Sequence, residues 1–442
     1  MTDTADWRKA LTATERYDNI QKLTQALKAA GLTKSAFDIE NEAYKTASTR
    51  EEYDAACNLS VPEDQPGPTT SSSSMPEDDE IPPEPSSPGT TIGSYENCHY
   101  IASGVTSAVY RCGALALKVI VETRNMAPHN PSLEAKLLAD LRTANAPNII
   151  PLLSTFHSPE PESHLVMVFP YLPFTLADLL SSHHRRCSSI TSASSSSSSS
   201  SSTKATPPLP TSTLRAIFTA LFRALSHLHS QGIIHRDIKP SALLLSHLNL
   251  TTTTPDGPQI YLSDFGTAHH PHHSPTLNNE PITSKILDVG TGPYRAPEAL
   301  FGNRAYTTAL DMWSAGCVVA ECLRGGSSSL FESRPAHEDG NQLGLVLSIF
   351  QTLGTPTRET WPEAEGFRTP PFEMYRVFEG RVKEVGWRGL LLSGLGSNGK
   401  GADEWEGWVE LVKGCLRYES KERLTAEQAL EFACFKETGE KS

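Results

Sequence analysis

Apolar residues along the chain recur with several periods, each predicting a different element. Between residues 7 and 57, Trp7, Leu11, Ile20, Leu23, Leu27, Leu32 and Phe37 return at intervals that lay one buried face on helices. The run Thr12-Ala13-Thr14-Glu15 is a capping signal and Gly31 a breaker, so this region reads as a small helical bundle. From Ala114 to Ile120 the pattern alternates and predicts a strand, with Lys118 as a lone charge among apolar neighbours. Ser132–Leu138 and Leu214–His229 return to the helical period.

Between these elements the patterning lapses twice. Residues 61–93 are rich in Pro, Ser, Asp and Glu and predict a disordered linker, because they cannot bury enough apolar surface to order themselves. A second tract, about 183–212, contains serine without a break from Ser194 to Ser202 and predicts a looped-out insertion. At 442 residues the chain is too long for one core. Its apolar share of 38% is low, which fits folded units separated by such stretches. The net charge of −13 argues against nucleic-acid or membrane-surface binding by the whole molecule. No run of 18 apolar residues occurs and the N-terminus is polar, so neither a membrane span nor a signal peptide is expected. The eight cysteines form no framework, which predicts a reducing compartment, nucleus or cytoplasm.

The candidate chemistry comes in a fixed order. Lys118 on its strand is followed by Glu134 on a helix, then by His235-Arg236-Asp237-Ile238-Lys239-Pro240. Asp264-Phe265-Gly266 follows, its aspartate 27 residues after Asp237, and then Ala296-Pro297-Glu298. Together these resemble the protein kinases. The resemblance implies an α+β, two-lobed fold over residues 94–438, a small antiparallel-sheet lobe and a larger helical lobe, with the helical bundle of residues 1–60 added in front. It implies Mg-ATP as phosphoryl donor and a protein hydroxyl as acceptor.

By the same resemblance, Lys118 holds the α- and β-phosphates and Glu134 orients it. Asp237 accepts the substrate proton, Lys239 stabilises the γ-phosphate, and Asp264 binds metal. Gly266 is expected to let the backbone turn. Ile101, Val109, Ala116 and Leu244 would wall the adenine pocket, with Phe169 as gatekeeper and the Pro170–Leu172 backbone bonding the base. Glu298 with Arg423, and Asp311 with the catalytic-loop backbone, are implied structural ties. Gly292–Glu298, Leu300-Phe301-Gly302, Asp311-Met312-Trp313 and Leu353-Gly354-Thr355-Pro356 resemble the cyclin-dependent kinase branch. Thr291, seven residues before Glu298, matches the threonine that bridges Asp237 and Lys239 in serine/threonine kinases.

Several positions depart from the pattern. The phosphate loop, Ala102-Ser103-Gly104-Val105-Thr106-Ser107, keeps only its middle glycine, which lowers the expected ATP affinity. Ala242 stands where the family has an asparagine metal ligand, and neither Ser241 nor Ser263 is an obvious replacement. A pseudokinase scaffold is therefore the rival reading, although the other chemical residues are kept. In the activation segment, Asp264 to Glu298, Ile286 occupies the place of the phosphothreonine. Leu133 and His269 replace two of its three arginines, leaving Arg236, so no phosphorylation is expected at that position.

His269, His270, His272 and His273 read as part of a flexible polar loop. These features resemble the fungal single-subunit kinases that activate cyclin-dependent kinases, and imply such a kinase as substrate. Pro128–Glu134 has the spacing of the family's cyclin-binding helix but not its sequence, which counts against a cyclin partner. Phe37–Tyr44 and Ser48–Tyr53 resemble the KIX-like domain of fungal Mediator tail subunits, implying a groove for an activator's helix.

Overall fold

Two stretches of antiparallel pairing and a set of long helices organise the chain in a computed structural model. The structure describes residues 82, 85, 87–121, 127–158, 163–193, 206–250, 258–277, 279–326, 328–332, 341–367, 386–395 and 402–436. Of the first 60 residues it describes Glu15, Asn19, Lys22, Leu23, Ile39, Glu40, Ala43, Tyr44, Ala47 and 49–57. Two compact units result. One draws its described residues from Met1–Glu77, Pro83–Pro131 and Leu152–Tyr171; the other draws them from Asp78–Pro82, Ser132–Pro151 and Leu172–Ser442.

The first unit is a six-stranded antiparallel sheet. Its strands are β1 (Thr90–Ile92), β2 (Tyr95–Ser103), β3 (Ser107–Cys112), β4 (Leu115–Ile120), β5 (Ser154–His157) and β6 (Leu165–Pro170), in the order β1-β2-β3-β4-β6-β5. Alternation sorts its side chains. Leu117, Val119, Val166 and Val168 join Cys98 in a buried cluster on one face. The linker expected to run to residue 93 ends sooner, because β-branched Thr90 and Ile92 pair with β2 and Ile92 packs on that cluster.

In the N-terminal region, Leu23, Ala43, Tyr44, Ala47, Tyr53 and Cys57 form a second cluster, touched by Ile39 and Val121. Helix α1 (Arg50–Cys57) supplies Tyr53, whose hydroxyl donates to the Glu40 carboxylate at 2.7 Å. Trp7, Leu11, Ile20, Leu27, Leu32 and Phe37 lie outside the described residues, as does most of 61–93.

The second unit is helical around a small sheet of β7 (Phe174–Thr175), β8 (Leu243–Leu245) and β9 (Ile260–Leu262). Helix α2 (Pro131–Thr143) starts on its proline, which needs no N–H partner there, and buries Leu133, Glu134, Leu137, Leu138 and Leu141 as one stripe. Helix α3 (Leu176–Ala193) runs about eleven residues into the stretch expected to loop out, and α4 begins at Thr211. Only 194–205 of that insertion lies outside the described residues. Histidines account for part of the extension: His183 and His184 bond the Pro207 carbonyl at 2.9 Å and the Thr206 hydroxyl at 2.8 Å, tying α3 to the returning chain. Helix α4 (Thr211–Ser230) and α5 (Ala309–Leu323) are the buried centre, α5 with thirteen buried residues.

Candidate active site

Within the second unit, the loop after α4 is shaped by one buried carboxylate. Asp311, in the first turn of α5, accepts the backbone N–H groups of His235 and Arg236, each at 2.8 Å, and faces the His229 ring at 3.0 Å. Burial pushes its carboxyl up, but the His229 ring and the N–H of Arg236 outweigh this and hold it below the usual carboxylate range. So anchored, Arg236 adopts φ 71°, a conformation that branched or bulky residues avoid unless the surroundings impose it. The bend leads directly into Asp237.

Four polar side chains meet beyond that bend. Lys239 Nζ donates to Asp237 Oδ2 at 2.5 Å and to Thr291 Oγ1 at 3.2 Å. Thr291 Oγ1 in turn donates to Asp237 Oδ1 at 2.6 Å, so both carboxylate oxygens are engaged. Asp264 Oδ2 lies 3.9 Å from Lys239 Nζ, with its side chain about half exposed. The expected pivot at Gly266 is corrected: Asp264 itself carries the left-handed turn, φ 65°, while Phe265 is buried edge-on against His235 at 4.7 Å. The His235 ring bonds the Ser263 carbonyl at 2.9 Å, which holds the two segments in register.

Gly290 closes the arrangement from the other side. Its φ is 82°, and a Cβ there would press on Arg295 Cγ at 3.2 Å and on the Arg236 carbonyl at 3.4 Å. Only glycine brings the chain this close to the catalytic loop one residue before Thr291.

The first unit gathers a second group of expected residues. Lys118 pairs with Val109 and Met167 across the sheet, and Ala116 with Phe169. Val109, Ala116, Lys118 and Phe169 therefore share one face, opposite the buried cluster of Leu117 and Val119. Ile101 is exposed beside a bulge between Tyr100 and Ala102. In the phosphate-loop turn, Gly104 N–H donates to the Ser107 carbonyl at 2.8 Å, and an added Cβ would meet only Ser107 Oγ at 3.8 Å. Even the retained glycine has room for a side chain, and neither Ala102 nor Ser107 takes a positive φ, so the turn stands without the outer glycines.

The remaining expected residues belong to the second unit. Glu134 is buried on α2, Leu172 is buried before β7, and Leu244 lies half-buried on β8. Ala242 is buried, and its carbonyl accepts both the N–H and the hydroxyl of Ser263, each at 2.9 Å. Its methyl offers no donor to a cation. Asp264, with an accessible carboxylate, does fit Mg²⁺, which takes one or two carboxylates and completes its shell with water and phosphate oxygens. Bound there, the ion would draw charge from the phosphate oxygens.

The histidine stretch is not the loose polar loop expected. His269 is buried and bridges to Ile234, His270 stacks on His273 at 4.1 Å, and His273 lies 3.4 Å from Asp140. Among the described residues no group of metal-ligating side chains occurs. Leu133 is buried and His269 points at the Glu280 carbonyl, 3.2 Å away. The sequence reading missed Glu280, the carboxylate that bonds Arg236. Six residues before Ile286 in a polar stretch, it resembles any solvated loop acid.

The protein kinase domain model matches residues 95–435. Serine/threonine-protein kinase CAK1 of Saccharomyces cerevisiae is 28% identical over 284 residues, covering 60% of this chain and 75% of that one. Protein kinase gsk31 of Schizosaccharomyces pombe is 30% identical, over 60% of this chain and 58% of its own length. Cyclin-dependent kinase B2-1 of Arabidopsis thaliana is 26% identical over 80% of this chain and 97% of its own.

Proposed function

Since the chain belongs to the protein kinase family as an ATP-dependent serine/threonine kinase, we propose that its substrate is the activation segment of a cyclin-dependent kinase. In this reading Asp237 takes the proton from the substrate hydroxyl as its oxygen attacks the γ-phosphorus. The bond to the β–γ bridging oxygen breaks, and ADP leaves with the electron pair. Thr291 and Lys239 hold the two Asp237 oxygens so that the carboxylate faces the incoming hydroxyl in one orientation. The Lys239 ammonium also neutralises charge on the transferred group. Lys118 and Glu134, with Ile101, Gly104, Val109, Ala116, Phe169, Leu172 and Leu244, would serve the nucleotide, and Asp264 would hold Mg²⁺.

The observation that carries the substrate assignment lies at Ile286. This residue cannot accept a phosphate, and its backbone N–H and C=O are already bonded to Glu280 and Tyr306. A kinase that is not itself switched at this position suits a place upstream of kinases that are. The similarity to CAK1 and to cyclin-dependent kinases fits the same placement. We place the protein in the nucleus or cytoplasm, where its eight cysteines, none of them in a disulfide, stay reduced.

The test is transfer of labelled phosphate to a catalytically dead cyclin-dependent kinase. Label on its activation-segment threonine, absent with the Asp237→Asn variant, is the expected result. Label on a basic peptide but none on that threonine would refute the substrate. Deleting residues 1–60 should alter the partners retained while leaving peptide phosphorylation intact, if that module recruits an activator's helix.

A further inference from the structure

Arg236 is wholly buried, and a buried guanidinium requires a counter-charge. In the kinases this chain resembles, a phosphothreonine supplies it. Here Glu280 does. Its carboxylate is 1% exposed; Arg236 Nη1 donates to Oε1, and Nη2 donates to Oε2 at 3.3 Å. The fork is completed by the Thr267 carbonyl, which accepts Nε, and the Tyr306 hydroxyl, which accepts Nη1 at 3.1 Å.

The same groups hold residue 286 at both of its backbone poles. Glu280 Oε1 accepts the Ile286 N–H at 2.8 Å, and the Tyr306 hydroxyl donates to the Ile286 carbonyl at 2.6 Å. Next to it, Lys285 Nζ donates to the carbonyls of Tyr306, at 2.8 Å, and Ile282. The Glu280 carboxylate thus ties the catalytic loop, one residue before Asp237, to the segment five residues before Thr291, and Arg236 Nε joins the stretch after Asp264 to both through the Thr267 carbonyl. Burial pushes the Glu280 carboxyl up, yet the adjoining guanidinium holds it below its ordinary range, so it is charged at neutral pH.

We propose that Glu280 is a positioning residue which takes the place of an activating phosphate, setting Arg236 and Ile286 so that the kinase is competent without modification of its activation segment. An anion carried by the chain itself cannot be removed by a phosphatase, and its placement costs no second enzyme. The inference rests on phosphotransfer by this chain but not on which protein accepts the phosphate.

The experiment uses the full chain made in bacteria, treated with phosphatase, and checked by mass spectrometry for phosphate on residues 264–298. A basic peptide is the acceptor. Treated wild type should keep its full rate. Glu280→Gln retains the size and the acceptor for Ile286 but not the charge. It should lower kcat by roughly 10- to 100-fold with the ATP KM changed less than about threefold. In an Arg236→Ala background the same substitution should have less than about a twofold effect, because its partner is gone.

Loss of wild-type activity on phosphatase treatment overturns the proposal, and this arm holds even where Glu280→Gln fails to fold. A Glu280→Gln rate within about twofold of wild type, or an equal loss in both backgrounds, overturns it as well. Failure to label a cyclin-dependent kinase while the peptide is labelled refutes only the substrate. A wild-type chain that labels neither overturns both.

Discussion

Replacing Thr291 by valine exchanges one hydroxyl for a methyl group and changes little else. The lost hydroxyl donates to Asp237 Oδ1 at 2.6 Å and accepts from Lys239 Nζ at 3.2 Å. A hydrogen bond to a charged group contributes about 1.5–3 kcal/mol. Expressed wholly in the transition state, that is a fall in kcat of roughly 10- to 150-fold. Valine keeps the shape and the β-branch, and Thr291 is exposed, so folding stability should move by less than about 0.5 kcal/mol. Serine restores the donor and should return kcat to within about threefold of wild type, a remaining difference of well under 1 kcal/mol. The assay is steady-state peptide phosphorylation at saturating ATP, with urea unfolding run in parallel. A valine variant within about twofold of wild type in kcat refutes the reasoning, as does a serine variant as impaired as valine. So does a loss of rate that tracks a loss of stability.

Three further outcomes are expected. Glu298→Ala leaves Arg423 buried without its bidentate partner, both bonds being 2.7 Å, and should cost about 3–5 kcal/mol in urea unfolding; adding Arg423→Ala should cost less than the sum of the two singles. Burial lowers the His269 and His270 rings to about 4, from an unfolded value of 6.5. Depressed folded values mean stability is complete above pH 6.5 and falls toward pH 4 as the unfolded chain takes up protons first, with a slope of up to about 1.4 kcal/mol per pH unit from buried His269 and a smaller one from half-buried His270, whose interactions water screens. Denaturation at a series of pH values should show that fall, and His269→Gln should make it shallower by about one proton; an unchanged slope would contradict it. Ala242→Asn should lower the Mg²⁺ concentration that gives half-maximal rate, whereas superimposable Mg²⁺ curves would show that the metal is held without help from position 242.

Much of the candidate site was legible residue by residue. Lys118, Asp237, Lys239, Asp264 and Thr291 stand in short motifs, and the strand around Lys118 and the helix around Glu134 follow from spacing that the backbone itself imposes. The direct meeting of Thr291 with Asp237 follows from a motif seven residues before Glu298. Composition marked about 183–212 as an insertion; the serine run itself lies outside the described residues, and helices occupy both edges of the marked stretch. Helix α3 persists to Ala193, and His183 and His184 make bonds that serine content does not foretell.

What only the folded chain decided is which charge faces which. Glu280 lies 44 residues from Arg236, and Asp311 lies 75 from the N–H it accepts. Neither separation has a period. A helix or strand is written in neighbouring residues because its hydrogen bonds are local, or repeat at a set register. The partner of a buried ion is chosen by which carboxylate the surrounding packing carries into a water-free site, and there the penalty for an unpaired charge makes the pairing obligatory. Glu280 reads as a loop acid until Arg236 and the Ile286 N–H close around its carboxylate.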